Sequence, residues 1–135
     1  MKNTFARLFI VIVLGWNLQG ALAYCIWPEQ FTPSFELSGK TGESAVRGIG
    51  VLFLMWNVPY FVAAWDPLRN KIALLEALAM QTIGLGGESW IYLTLDPAHS
   101  IARATITRFI GFDAGGLILL VIAVWLTRTI KSPYN

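Results

Sequence analysis

Long apolar stretches separated by short polar ones dominate the chain. A helix that crosses a bilayer needs about 20 mostly apolar residues, and four stretches reach this length: about 8–27, 45–65, 71–95 and 101–127. Asp-Pro pairs follow the second and third stretches (Asp66-Pro67 and Asp96-Pro97), where the residue before proline disfavours helix. The pattern predicts an all-α fold, an integral membrane four-helix bundle with antiparallel up-down topology, forming one domain over residues 1–135.

The connection between the first two predicted helices, about residues 28–44, is the only long one, and its polar, proline- and glycine-containing sequence predicts an outer loop. Its apolar residues Phe31, Phe35 and Leu37 fit two arrangements. They either lie on the membrane surface or cap the end of the bundle.

Composition supports the membrane class. Charged residues make up 13% of the chain, whereas soluble domains carry roughly 25%. The net charge of +2 is small and dispersed, which argues against binding to nucleic acid. A single cysteine, Cys25, excludes an internal disulfide and a CxxC motif. We therefore expect the lipid bilayer as the main partner, with other membrane proteins or a second copy as further candidates, and no metal; the sequence indicates no particular cofactor.

Lysine and arginine in the flanks predict the orientation, because cytoplasmic loops of membrane proteins are enriched in both. They favour a multi-pass protein of a bacterial-type inner membrane with both termini in the cytoplasm. Residues 1–23 also resemble a signal peptide that ends in Ala21-Leu22-Ala23. The apolar run continues through residues 24–27, so we expect the first helix to be retained.

Polar residues inside the apolar stretches are the candidate site. An ionisable group at mid-bilayer costs about 2.5–3.5 kcal/mol on insertion scales, so such groups usually face the bundle interior and mark function. The predicted ligand-binding or ion-pair cluster comprises Arg47, Glu88, Arg103, Arg108 and Asp113, with Asn17, Asn57 and Gln81 as polar companions.

The helical rise per residue gives their depths. Glu88 and Arg108 both lie roughly 10 Å from the outer ends of their helices, which predicts an ion pair between them, with Arg47 as a second partner. Asp113 lies deeper, near the level of Asn17 and Asn57, and should face Gln81 and the small Gly84. The pair could simply fix helix register, or the cluster could bind a ligand or a proton; the sequence leaves both open.

Several short motifs resemble DoxX-like small four-helix membrane proteins. All of them lie within about residues 44–127, at helix starts and turns. The motifs are Arg47-Gly48-Ile49-Gly50, Asp66-Pro67-Leu68-Arg69, Ala102-Arg103, Arg108-Phe109 and Asp113-Ala114-Gly115-Gly116. The resemblance implies a four-helix bundle, and some members of that group accompany quinone-linked redox systems.

Three functional hypotheses follow. The first is an accessory or structural subunit of a membrane protein assembly. The second is a small-molecule or proton-coupled binding or transport protein that uses the polar cluster. The third, a membrane enzyme acting on a lipid or quinone, is the least favoured, because the sequence contains no readable nucleophile–base–acid set.

Overall fold

The computed structural model describes residues 2–128, and within that range the chain forms four α-helices and no strand. They are α1 (Lys2–Ile26), α2 (Gly39–Trp65), α3 (Lys71–Thr94) and α4 (Ser100–Arg128). The prediction of an all-α chain with four helices is confirmed.

The first two helices are longer than the hydrophobic pattern indicated. Helix α2 begins at Gly39 rather than near Ala45, and α1 already includes Lys2. Hydropathy marks only the apolar part of a helix, whereas a polar turn can be helical at a surface. In the first turns of α2, Lys40 and Glu43 form an exposed ion pair at 2.8 Å. The connecting segment is therefore residues 27–38, and it contains two short 3-10 turns, Pro28–Gln30 and Thr32–Phe35.

Both Asp-Pro pairs follow helix ends, as predicted. Helix α2 ends at Trp65, and the Asp66 Oδ1 atom accepts hydrogen bonds from the backbone N–H groups of Leu68 and Arg69. After α3, Asp96 Oδ1 accepts one from the N–H of Ala98. The aspartates stabilise the turns by replacing backbone hydrogen bonds that the helix no longer supplies.

The helices pack as a ring, in which α1 and α3 each contact both α2 and α4. Completely buried alanines lie on all four helices, which lets the backbones approach closely. Larger apolar side chains fill the space between them. The fully or almost fully buried members of this core include Ala6, Ile10, Ala63, Leu74, Ala77, Leu120 and Ala123.

The exterior of the bundle is apolar. Trp65, Trp90 and Trp125 are 73%, 69% and 61% exposed, whereas the polar Gln81 is only 3% exposed. A soluble protein would show the opposite distribution. Helices α1, α2 and α4 are long and apolar enough to cross a membrane; α3, which carries Glu76, Gln81 and Glu88, falls outside this group.

The connecting segment folds over one end of the bundle. The Phe31 ring contacts Tyr24 of α1 at 4.7 Å, and Phe35 contacts Phe109 of α4 at 6.0 Å between ring centroids. Thr105 on α4 also donates a hydrogen bond to the Ser34 carbonyl, at 2.7 Å. Of the two arrangements that the sequence allowed for these aromatic residues, the structure has the capping one.

Candidate functional site

A cavity of about 310 Å³ lies between the four helices and is partly open to the exterior. All four helices line it, together with Phe31 of the connecting segment. Aromatic rings form most of its wall: Trp16, Tyr24, Phe31, Phe53, Trp56, Phe109 and Phe112. Ligand sites in proteins have volumes of about 300–1,000 Å³ and combine apolar walls with a few placed polar groups. This cavity matches the lower end of that range.

On α2 and α4, the residues that line the cavity follow the spacing of one helix face. On α2 these positions are Phe53, Trp56 and Asn57, and on α4 they are Phe109, Phe112 and Asp113. Positions separated by three, four or seven residues lie on one face of a helix. Each helix therefore presents a mixed aromatic and polar stripe to the cavity.

A continuous chain of polar side chains crosses the bundle beside the cavity. The Tyr60 hydroxyl on α2 donates a hydrogen bond to Gln81 Oε1 on α3 at 2.6 Å. Gln81 Nε2 in turn donates to Asp113 Oδ1 on α4 at 2.8 Å. Three helices are thus joined through side chains that would be costly to bury singly, and Asn17 of α1 lines the same cavity.

Asp113 continues this chain to Glu88. The two carboxyl groups are close enough to interact electrostatically. Gly84 makes room for the Asp113 carboxyl group, because a Cβ atom there would lie 2.5 Å from Asp113 Oδ2. The prediction that Gln81 and Gly84 face Asp113 is confirmed.

Two buried acceptor atoms at the cavity have no hydrogen-bond partner. They are Asn57 Oδ1 and Glu88 Oε2, and both residues line the cavity. The Asn57 amide nitrogen is already engaged, since it donates to the Phe53 carbonyl at 2.7 Å. Buried acceptors without a partner are rare in folded proteins, because each one loses the hydrogen bonds that water would supply.

The three predicted arginines do not join this cluster. Arg47 is exposed and donates from Nε to the Cys25 carbonyl at 3.2 Å. Arg103 donates from Nη1 to the carbonyls of Tyr92 and Leu95, and its guanidinium lies 4.1 Å from the centroid of the Tyr92 ring.

Arg108 is exposed, and the ion pairs recorded within residues 2–128 do not include it or Glu88. The predicted Glu88–Arg108 pair is therefore wrong. Equal depth was not sufficient for contact: Arg108 and Asp113 are five positions apart, which places them about 140° apart around the helix. Because Asp113 faces the interior, Arg108 faces away from it.

Tyr60 and the aromatic residues of the wall were not among the site residues predicted from the sequence. The candidates predicted from polar positions were ionisable groups and amides, whereas the Tyr60 hydroxyl donates a hydrogen bond to Gln81. The helical spacing of aromatic residues around Asn57 and Asp113 was the available signal. This spacing is visible in the sequence, but it resembles the spacing of ordinary lipid-facing or core aromatic residues.

The site can offer two carboxyl groups, amide groups and aromatic faces to a ligand. Among the side chains that the structure describes, no three His, Cys, Asp or Glu residues are grouped as a metal ion would need.

No protein-family model matches this chain, and neither the curated proteins nor the solved structures provide a similar protein. The resemblance to DoxX-like proteins therefore stays a prediction.

Proposed function

We propose that the protein is a multi-pass membrane protein, of a bacterial-type inner membrane, that binds a small molecule in the cavity between its helices. The observation that carries this proposal is the 310 Å³ cavity itself, which has an aromatic wall and ends at the polar chain of Tyr60, Gln81 and Asp113. A cavity in a bundle that served only as a scaffold would be costly, because unfilled space loses packing contacts.

We further propose that all four helices span the membrane. Helices α1, α2 and α4 qualify by length and composition. Helix α3 completes the ring by packing on α2 and α4, and its Gln81 and Glu88 line the cavity instead of facing outward. Polar groups within a membrane helix are tolerated when they face the bundle interior.

Contacts between residues support the up-down topology. Arg103 near the start of α4 reaches Leu95 at the end of α3, whereas Gln81 further back on α3 approaches Gly116 further along α4. In the same way, α1 and α2 approach at Cys25 and Gly50 near the connecting segment. Such pairings are what antiparallel neighbours make.

The accessory-subunit role remains a second prediction. Its expected feature, an apolar outer surface, is also what lipid contact requires, so the exterior does not favour it over ligand binding. The cavity and its unpartnered acceptors favour the binding role.

Filling the cavity tests the proposal. Gly20 lines the cavity and Gly15 does not, and an added Cβ atom meets nothing within 4 Å at either position. Gly20→Leu should therefore occupy the cavity without disturbing the helix, and Gly15→Leu is the matched control. The probes are 2-naphthylmethylamine and the neutral 2-naphthylmethanol, measured by equilibrium dialysis in mild detergent against empty micelles.

We expect at least one probe to bind the wild type and Gly15→Leu equally, and to lose most of its affinity for Gly20→Leu. If neither probe binds above the empty micelles, or if Gly20→Leu binds like the wild type, the cavity is not a ligand site and the proposal is wrong.

A further inference from the structure

Two buried acceptors in residues that line the cavity, Asn57 Oδ1 and Glu88 Oε2, lack a hydrogen-bond partner. Asn57 is only 6% exposed, and its amide nitrogen is engaged with the Phe53 carbonyl. The amide nitrogen of Gln81 is also engaged, since it donates to Asp113. A ligand that satisfies the two oxygens must bring N–H or O–H groups of its own.

The charged residues of the lining are acidic. Glu88 and Asp113 both line the cavity, and no lysine, arginine or histidine does in the described part of the chain. Such a lining favours a cation and repels an anion.

The aromatic wall is also suited to binding a cation. The rings of Trp16, Trp56 and Phe112 line the same cavity as the two acids. Aromatic faces attract an ammonium group through the ring quadrupole, and tryptophan does so most strongly. The rings also offer apolar area to the rest of the ligand.

We propose that the ligand is a small protonated organic amine that carries at least one N–H bond and an aromatic or other apolar body. The ammonium hydrogens bond to Asn57 Oδ1 and Glu88 Oε2, and the body lies against the aromatic wall. This inference rests on the proposed binding function and adds the chemical class of the ligand.

Three probes with the same naphthylmethyl body separate the contributions: 2-naphthylmethylamine, its N,N,N-trimethyl derivative and 2-naphthylmethanol. The first is a cation with N–H donors, the second a larger cation without them, and the third a neutral molecule. We expect the amine to bind about tenfold tighter than either of the others, because it combines a positive charge with hydrogen-bond donors.

Substitutions identify the residues that cause the preference for the amine. Glu88→Gln and Asn57→Leu should each weaken amine binding about tenfold and weaken 2-naphthylmethanol binding much less, because the alcohol is uncharged and has a single O–H donor. Retained alcohol binding shows that the cavity is intact in each variant. Glu76→Gln is the matched control, because Glu76 is an exposed acid on the same helix as Glu88 and does not line the cavity.

The outcomes are distinguishable. Equal affinity for all three probes, with loss in Gly20→Leu, would overturn the amine inference and leave the binding function standing. Tightest binding of the trimethyl derivative would show recognition by the aromatic faces alone and would also overturn it. Failure of every probe to bind would overturn both proposals.

Discussion

Gln81 on α3 donates a hydrogen bond from Nε2 to Asp113 Oδ1 on α4 across 2.8 Å, and its other amide atom accepts one from Tyr60 on α2. One buried side chain thus connects three helices. Its hydrogen bond fixes the orientation of the Asp113 carboxyl group in the cavity lining. The geometry of the proposed ligand site therefore depends on Gln81.

Gln81→Leu should lower the free energy of unfolding by about 1–2 kcal/mol, because the Tyr60 hydroxyl and the Asp113 carboxyl both lose their partner. The measurement is SDS titration of the protein in mild detergent, followed by circular dichroism. Thr82→Val is the control, since the exposed Thr82 hydroxyl bonds only to the Leu78 carbonyl of its own helix. Equal effects of the two substitutions would contradict the role given to Gln81.

Gly50 is a point of close approach between α2 and α1. A Cβ atom there would lie 2.8 Å from Cys25 Sγ and 2.9 Å from the Ala21 carbonyl oxygen, whereas a Cβ atom at Gly48 would meet nothing within 4 Å. Gly50→Ala should therefore destabilise the protein by about 1–3 kcal/mol through overpacking. Gly48→Ala, two positions away on the same helix, should be neutral or slightly stabilising. The pair is compared in the same SDS titration, and a neutral Gly50→Ala would show that the helices can separate without cost.

Arg103 and Arg108 lie on the same helix but differ in their contacts. Arg103 binds the two carbonyls at the end of α3, where a cation is favoured by the helix dipole. We expect Arg103→Met to cost about 1–2 kcal/mol of stability, since charged hydrogen bonds are lost. Arg108→Met should change stability by less than about 0.5 kcal/mol, as for most exposed positions. Thermal unfolding of the two variants in detergent measures both losses of stability. A larger loss for Arg108→Met than for Arg103→Met would support the predicted Glu88–Arg108 ion pair after all.

Glu36 joins the connecting segment to the start of α4. Its carboxylate lies 2.5 Å from His99 Nδ1 and accepts hydrogen bonds from the N–H groups of Ile101 and Ala102. The hydrogen bond from His99, followed by that from Ala102, lowers the pKa of Glu36 below its ordinary value of 4.5. The carboxylate therefore stabilises the fold above pH 4.5, and this contribution is lost as the pH falls through the lower, folded-state pKa.

Comparison with Glu36→Gln isolates that contribution. The wild type should melt at a higher temperature than Glu36→Gln at neutral pH, and the difference should shrink toward about pH 3 as the carboxylate is protonated. Glu29→Gln, at an exposed acid in the same segment, serves as the control for the change in charge. A difference that stayed constant over this range would exclude an ionised Glu36 as its source.

Topology is tested in whole cells. Lysine and arginine are in excess at the end of the bundle opposite the connecting segment. This excess predicts that tags at both termini lie in the cytoplasm. Lys40, at the other end, should react with an impermeant amine reagent from outside. A carboxyl-terminal tag that is accessible from outside would reverse the proposed orientation.

Depth and helical face explain which site predictions succeeded. Gln81 and Gly84 were expected opposite Asp113 from the rise per residue, and both are found there. The same estimate gave Glu88 and Arg108 equal depth but ignored the angle around the helix. That angle places Arg108 on the exposed surface and leaves Asp113 beside Glu88.

The sequence by itself determined four long helices, their Asp-Pro ends and a set of polar positions that cannot all face lipid, because these features follow from local composition and backbone preference. Only the tertiary structure decided that the Tyr60 hydroxyl bonds to Gln81 and that Glu88 and Asp113 line the same cavity. It also decided that Phe31 and Phe35 cap the bundle. These contacts depend on how each helix is rotated about its axis, and that rotation is set by the packing of all four helices together.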